Sequence, residues 1–180
     1  MRVCVFCGSS DGTSPVFRDA AAGVGRALVR RGIGIVYGGG RVGCMGALAD
    51  AALHAGGEVI GVLPHALESR EVAHRELSAL HVVGSMHERK AKMTLLADAF
   101  LALPGGFGTL DELFEALTWR QLGYHAKPCA ILDVDGYYAP LLAFCDTARR
   151  AGFVRPADRE ALVAGHDAER VIDELVRRAR

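Results

Sequence analysis

The chain changes its hydrophobic period again and again. Short apolar, β-favouring runs alternate with longer stretches of helical spacing, and glycine or proline marks most junctions. Short apolar runs bounded in this way read as buried strands, and their alternation with helices implies parallel strands joined by helical crossovers. Strands are predicted at residues 2–7, 33–37, 58–63, 80–83, 99–103 and 128–134. Helices are predicted from Ser14-Pro15 to about Arg31, over 43–55, from Ser85 to about Ala97, and over 109–122. Ser14-Pro15 and Ser85-Met-His-Glu88 carry helix-start chemistry, the second as a capping box. The polar segment 68–76 has no clear period and reads as a loop or short helix. Residues 136–180 read as helical, interrupted near Gly152 and Gly165. The expected architecture is one α/β domain over 1–180, a doubly wound parallel sheet with helices on both faces.

Composition removes several classes. Lys plus Arg and Asp plus Glu number 21 each, so the formal net charge is zero. Such a chain lacks the basic footprint of a general nucleic-acid binder. Apolar residues make up 51%, enough for a packed core rather than a disordered chain. No apolar run approaches the ~18 residues of a membrane-spanning helix, and the run at 3–7 meets Gly8-Ser9-Ser10 too early for a signal peptide. The expectation is a soluble, cytoplasmic protein with no nucleic-acid or membrane partner. Five cysteines are an odd number, against a disulfide framework. Cys4 and Cys7 form C-x-x-C, but strand residues three apart face opposite sides, and redox pairs sit at helix N-termini. The seven histidines form no H-E-x-x-H pattern, and no second cysteine pair has zinc-ligand spacing, so no metal site is predicted.

Three loops of small residues should meet at the carboxyl edge of such a sheet, where doubly wound folds bind ligands. They are Gly8-Ser9-Ser10, Gly38-Gly39-Gly40 and Pro104-Gly-Gly-Phe-Gly-Thr109. Residues 38–43 satisfy G-x-G-x-x-G, but they follow the second strand, and Val62-Leu63-Pro64 ends the next strand where a ribose-binding acid should stand. The pattern therefore supports close backbone approach, or simply a tight turn, more than a dinucleotide. Residues 104–109 run from a strand into a helix N-terminus, whose free N–H groups and dipole suit a phosphate. The Gly-Lys-Thr ending of a P-loop is absent, which favours a monophosphate over triphosphate hydrolysis. Thr109-Leu-Asp-Glu112 also reads as a capping box, with Thr109 as N-cap. Alternatively Glu112 faces the ligand, with Glu115 on its side of the helix and Asp111 off it. Arg89 and Lys90 read as a solvated basic face or as ligand groups, and Met86 and Met93 share the face of Arg89. Nothing in the spacing brings Arg89 to Glu112.

Ser85-Met-His-Glu-Arg-Lys90 followed by Pro104-Gly-Gly-Phe-Gly-Thr-Leu-Asp-Glu112 resembles the LOG family of cytokinin-activating phosphoribohydrolases, with their Met-His-x-Arg-Lys and P-G-G-x-G-T-x-x-E motifs. The resemblance extends to Cys7-Gly-Ser-Ser10, to Tyr37-Gly-Gly-Gly40 with Gly43 and Gly46, to Trp119-Arg-Gln-Leu-Gly123 and to Asp133-Val-Asp-Gly-Tyr-Tyr138, in family order over residues 1 to about 155. Departures are Cys44 for Leu, Phe107 for Tyr and Asp111 for Glu; Phe107 lacks a phenol available to a ligand.

The resemblance implies a Rossmann-like fold, a homodimer with sites near its interface, and hydrolysis of a nucleoside 5′-monophosphate to free base and ribose 5-phosphate without a cofactor. Arg89 and Glu112 carry over as catalytic residues. Glu112 is expected to stabilise positive charge on the ribose and position water. Arg89 is expected to hold Glu112 and the phosphate, or to stabilise the departing base. The expected substrate-binding set is Gly8, Ser9, Gly38, Gly39, Gly40, Met86, Lys90, Gly105, Gly106, Gly108, Thr109 and Glu115. Trp119, Met86 and Met45 are candidates to line an apolar pocket for an N6 substituent. A decarboxylase label often given to the family implies pyridoxal phosphate, which needs a Schiff-base lysine; only Lys90, Lys92 and Lys127 exist, and none is convincing. A non-catalytic nucleotide or cofactor carrier is the alternative, opposed by the presence of both Arg89 and Glu112.

Overall fold

The computed structural model describes residues 1–68 and 73–180. The predicted polar segment at 68–76 lies partly outside them. Seven parallel strands form one sheet: β1 (Arg2–Phe6), β2 (Gly34–Tyr37), β3 (Val59–Pro64), β4 (Ala79–Val83), β5 (Ala99–Ala102), β6 (Cys129–Leu132) and β7 (Leu162–Gly165). Their spatial order is β4-β3-β2-β1-β5-β6-β7. The helices are α1 (Pro15–Arg30), α2 (Gly43–His54), α3 (His65–Glu68), α4 (Met86–Leu96), α5 (Phe107–Gln121), α6 (Ala139–Arg150), α7 (Pro156–Ala161) and α8 (Ala168–Ala179). Among the described residues no helix is long and apolar enough to cross a membrane.

The period-two pattern divides the core. Val3, Val5 and Cys7 face α1, α2 and α8, whereas Cys4 and Phe6 face α4 and α5. Both faces are covered, so the central strands are apolar throughout, as parallel sheets require. Ser14 caps α1 by accepting the Val16 N–H at 3.4 Å, and Pro15 opens the helix. Ser85 caps α4 by accepting the Glu88 N–H at 3.1 Å. The reciprocal arm reaches one residue further back than a capping box would, because Glu88 accepts the N–H of Gly84 at 2.8 Å.

Two predictions need correction. The helical reading of 136–180 missed β7, whose four residues pair with β6 from Cys129↔Leu162 to Leu132↔Gly165. Leu-Val-Ala-Gly has no period of its own at that length, and only the edge of β6 makes it a strand. The strand predicted through Val134 stops at Leu132, and Val134–Gly136 form a 3-10 turn.

Strand order reverses between β1 and β5, and β2, β1 and β5 are neighbours. Their three glycine loops therefore meet at the switch point of the doubly wound sheet. Helices α1 and α2 also come very close: a Cβ on Gly25 would lie 2.5 Å from the Leu48 carbonyl oxygen. Gly25→Ala is expected to destabilise the protein by about 1–3 kcal/mol through overpacking, despite the better helix propensity of alanine. Gly23, in the same helix, has open space at its Cβ position, and Gly23→Ala should stabilise by about 0.5–1 kcal/mol. Urea unfolding of the two variants checks both signs.

Candidate active site

At the switch point a cleft of about 240 Å³ is lined by Gly8, Ser9, Gly38, Met45, Arg89, Gly106, Phe107, Gly108, Thr109 and Glu112, with Val5 and Cys7 at its floor. Arg89 comes from the first turns of α4, and Glu112 from α5. Both side chains are buried, at 6% and 9% exposure, and they meet at 3.2 Å between Nη1 and Oε1. The guanidinium is tethered on its other sides. Nε donates to the Val62 carbonyl of β3 at 3.0 Å, and Nη2 to the Gly38 carbonyl at 3.2 Å. A Cβ on Gly38 would stand 2.2 Å from Nη2, so this glycine makes room for the arginine.

The capping-box reading of Thr109 and Glu112 is corrected. Helix α5 begins at Phe107 with Gly106 as N-cap, and no side chain caps it. Thr109 therefore lies inside the first turn, and Glu112 turns to Arg89. The first intrahelical bond is Leu110 N–H to the Gly106 carbonyl, leaving the preceding N–H groups at the cleft.

Helix α2 also begins at the switch point, after G-x-G-x-x-G, but its N-terminus is occupied. Cys44 N–H donates to the Ser10 carbonyl at 3.3 Å and Met45 N–H to that of Gly8 at 3.2 Å. A Cβ on Gly43, which has φ 65°, would fall 2.4 Å from the Ser10 nitrogen. The close approach that these glycines permit is made here by the β1–α1 loop.

Other predicted site residues lie outside the cleft lining. Gly39, at φ 80°, faces Leu63 and Leu80, and its carbonyl accepts the His74 N–H at 3.1 Å. The Gly40 carbonyl accepts the Tyr37 hydroxyl at 3.1 Å. Gly105 packs against Gly8 and Thr109 beneath the loop. The Met86 sulfur sits 4.0 Å from Arg89 Nη1. Lys90 Nζ reaches Glu115 at 2.6 Å and Asp111 at 3.1 Å. Burial works against the Lys90 charge, but these hydrogen bonds outweigh it and raise its pKa. Glu115 thus sides with Asp111 rather than with Glu112. Of the apolar candidates, Met45 lines the cleft, while Trp119 borders a separate groove with Leu95 and Tyr124. None of the three lysines lines the cleft; Lys127 donates to the Thr94 carbonyl at 2.6 Å. The residues present do not fit a Schiff-base cofactor.

Comparison with known proteins identifies the family and the fold. A family model described as "possible lysine decarboxylase" matches residues 45–175. The protein of Oryza sativa subsp. japonica named probable cytokinin riboside 5′-monophosphate phosphoribohydrolase LOGL9 is 51% identical over 174 residues, which are 97% of this chain and 77% of that one. The Arabidopsis thaliana cytokinin riboside 5′-monophosphate phosphoribohydrolase LOG7 is 48% identical over 97% of this chain and 80% of its own. Among solved structures, the molybdenum cofactor carrier protein of Chlamydomonas reinhardtii superposes with a TM-score of 0.74 at 22% identity, covering 98% of both chains. The molybdenum cofactor binding protein of Rippkaea orientalis gives 0.72 at 22% identity over 98% and 95%. These two share the fold. The chain belongs to the LOG phosphoribohydrolase family, within the broader group that the family model describes.

Cys4 and Cys7 lie on opposite faces of the sheet, and burial pushes both thiols well above their ordinary range. Burial also pushes Cys129 up to about 12. Cys145 is the least buried of the five. Thiol titration of the native protein with an aromatic disulfide at neutral pH should therefore release at most one rapid equivalent, from Cys145, and all five after unfolding. Two rapid equivalents mapped to Cys4 and Cys7 would overturn this.

Proposed function

We propose that the chain hydrolyses the N-glycosidic bond of adenosine 5′-monophosphates, N6-substituted ones included, to free base and ribose 5-phosphate. The observation that carries this reading is the buried Arg89–Glu112 pair, 3.2 Å apart, beside the uncapped start of α5. Relatives at 51% and 48% identity are named for this reaction.

The substrate phosphate sits on the N–H groups of residues 106–109 and the Thr109 hydroxyl, where the helix dipole favours an anion. Holding this non-reacting group orients the ribose. As the bond from C1′ to the base nitrogen breaks, positive charge grows on C1′ and the ring oxygen. The Glu112 carboxylate stabilises that charge and directs water to C1′. The water oxygen ends on C1′, and the base leaves with the bonding electron pair and takes a proton. Arg89, fixed by two backbone carbonyls, holds Glu112 in place and offers its charge to the departing base. Gly8, Ser9 and Gly38 line the nucleotide, with Met45 against its apolar part.

The chain acts as a single nucleotide-binding domain and as a homodimer. Exposed Leu95, Phe114, Leu122 and Tyr124 on and after α4 and α5 support that association. Its five unpaired cysteines suit the cytoplasm.

Purified protein incubated with AMP and with isopentenyladenosine monophosphate should release free base, measured by chromatography. Glu112→Gln and Arg89→Ala should each lower the rate roughly 10²–10⁴-fold, with circular dichroism reporting retained fold. Near-normal turnover in either variant removes that residue from the chemistry. Nucleotide binding without base release by the wild type would favour a carrier.

A further inference from the structure

The turn after β6 has no part in the chemistry above, yet its construction is costly. Asp135, at φ 53°, is the one left-handed non-glycine among the described residues, and Gly136 follows at φ 72°. Buried Asp133 locks the turn, its Oδ1 accepting the Tyr138 N–H at 2.7 Å. Two adjacent tyrosines are thereby aimed at the end of β5. Tyr138 donates its hydroxyl to the Leu103 carbonyl at 2.7 Å, and Tyr137 donates to the Gly105 carbonyl at 2.6 Å. Between them, the Pro104 carbonyl accepts the Gly8 N–H at 3.1 Å. Three successive carbonyls are each held by a donor.

A trans peptide points its C=O and N–H in opposite directions, and the described chain has no cis peptide. Tying the Gly105 oxygen to Tyr137 therefore aims the Gly106 N–H the opposite way. Tyr137 does not line the cleft. It lines an adjoining cavity of about 310 Å³ together with Pro104, Gly105 and Gly106, whereas Gly106 to Thr109 line the cleft itself. A Gly-Gly peptide has no side chains to fix its plane. Once turned over, it would present a carbonyl oxygen to an anion.

We propose that Tyr137 is a positioning residue for the phosphate subsite: its hydroxyl sets the Gly105–Gly106 peptide so that the N–H faces the substrate phosphate. This deepens the phosphoribohydrolase reading and rests on it.

Tyr137→Phe removes one oxygen from a side chain that is 44% exposed and keeps the ring contacts with Phe17 and Tyr138, so the variant should fold. The KM for AMP and the inhibition constant of ribose 5-phosphate should both rise roughly threefold to tenfold, the range of one lost hydrogen bond. The kcat and the inhibition constant of free adenine should stay at wild-type values, with circular dichroism reporting retained fold. An unchanged KM, a fall in kcat alone, or equal losses for adenine and ribose 5-phosphate would overturn the proposal. Calorimetry with ribose 5-phosphate separates the two readings. If the wild type releases no base, the reaction is wrong, but weakened sugar-phosphate binding in Tyr137→Phe would still support the tether.

Discussion

A buried guanidinium must be surrounded by acceptors, because desolvating an unpaired charge costs several kcal/mol. Around Arg89 those acceptors come from three separate elements: the Val62 carbonyl of β3, the Gly38 carbonyl beyond β2, and the Glu112 carboxylate of α5. Much of the cleft follows from satisfying this one side chain. Strands β2 and β3 must be adjacent, residue 38 must lack a Cβ, and α4 must begin where its first turns overlie the carboxyl ends of both strands. Lys90, the next residue, reaches Asp111 and Glu115 and holds α4 to α5 beside the buried pair.

Two glycine-rich turns open onto helix N-termini at this edge, and they are not equivalent. The start of α2 is filled by carbonyls of Gly8 and Ser10. The start of α5 has no side-chain cap, and the carbonyls just before it are drawn away by Tyr138, Gly8 and Tyr137. Electrostatically, one turn is closed by the protein itself, and the other keeps the positive end of its helix dipole without a side-chain cap. A dinucleotide fingerprint in the sequence thus marks a packing motif, whereas the loop at 104–109 opens onto a helix start without a side-chain cap.

Folds of this kind host unrelated functions, so the residues at the switch point decide among them. The molybdenum cofactor carrier of Chlamydomonas reinhardtii shares the architecture at 22% identity. The name of the family model suggests a decarboxylase, but the cleft holds no lysine. What the cleft does hold is a buried Arg89–Glu112 ion pair beside a helix start without a side-chain cap.

The sequence by itself determined the alternation of strands and helices, the positions of the three glycine loops and the family motifs, because these are local matters of period, turn chemistry and spacing. Helix starts at Ser14 and Ser85 were legible for the same reason. It did not determine the contact between Arg89 and Glu112, 23 residues apart, or the identity of residues 162–165 as a strand, since both exist only once distant elements pack. Nor could local spacing tell that Thr109 sits inside α5 rather than capping it, that Glu115 turns to Lys90, or that Tyr137 reaches Gly105. Each of those outcomes depends on which partner a polar group finds when water is excluded, and only the assembled sheet decides that.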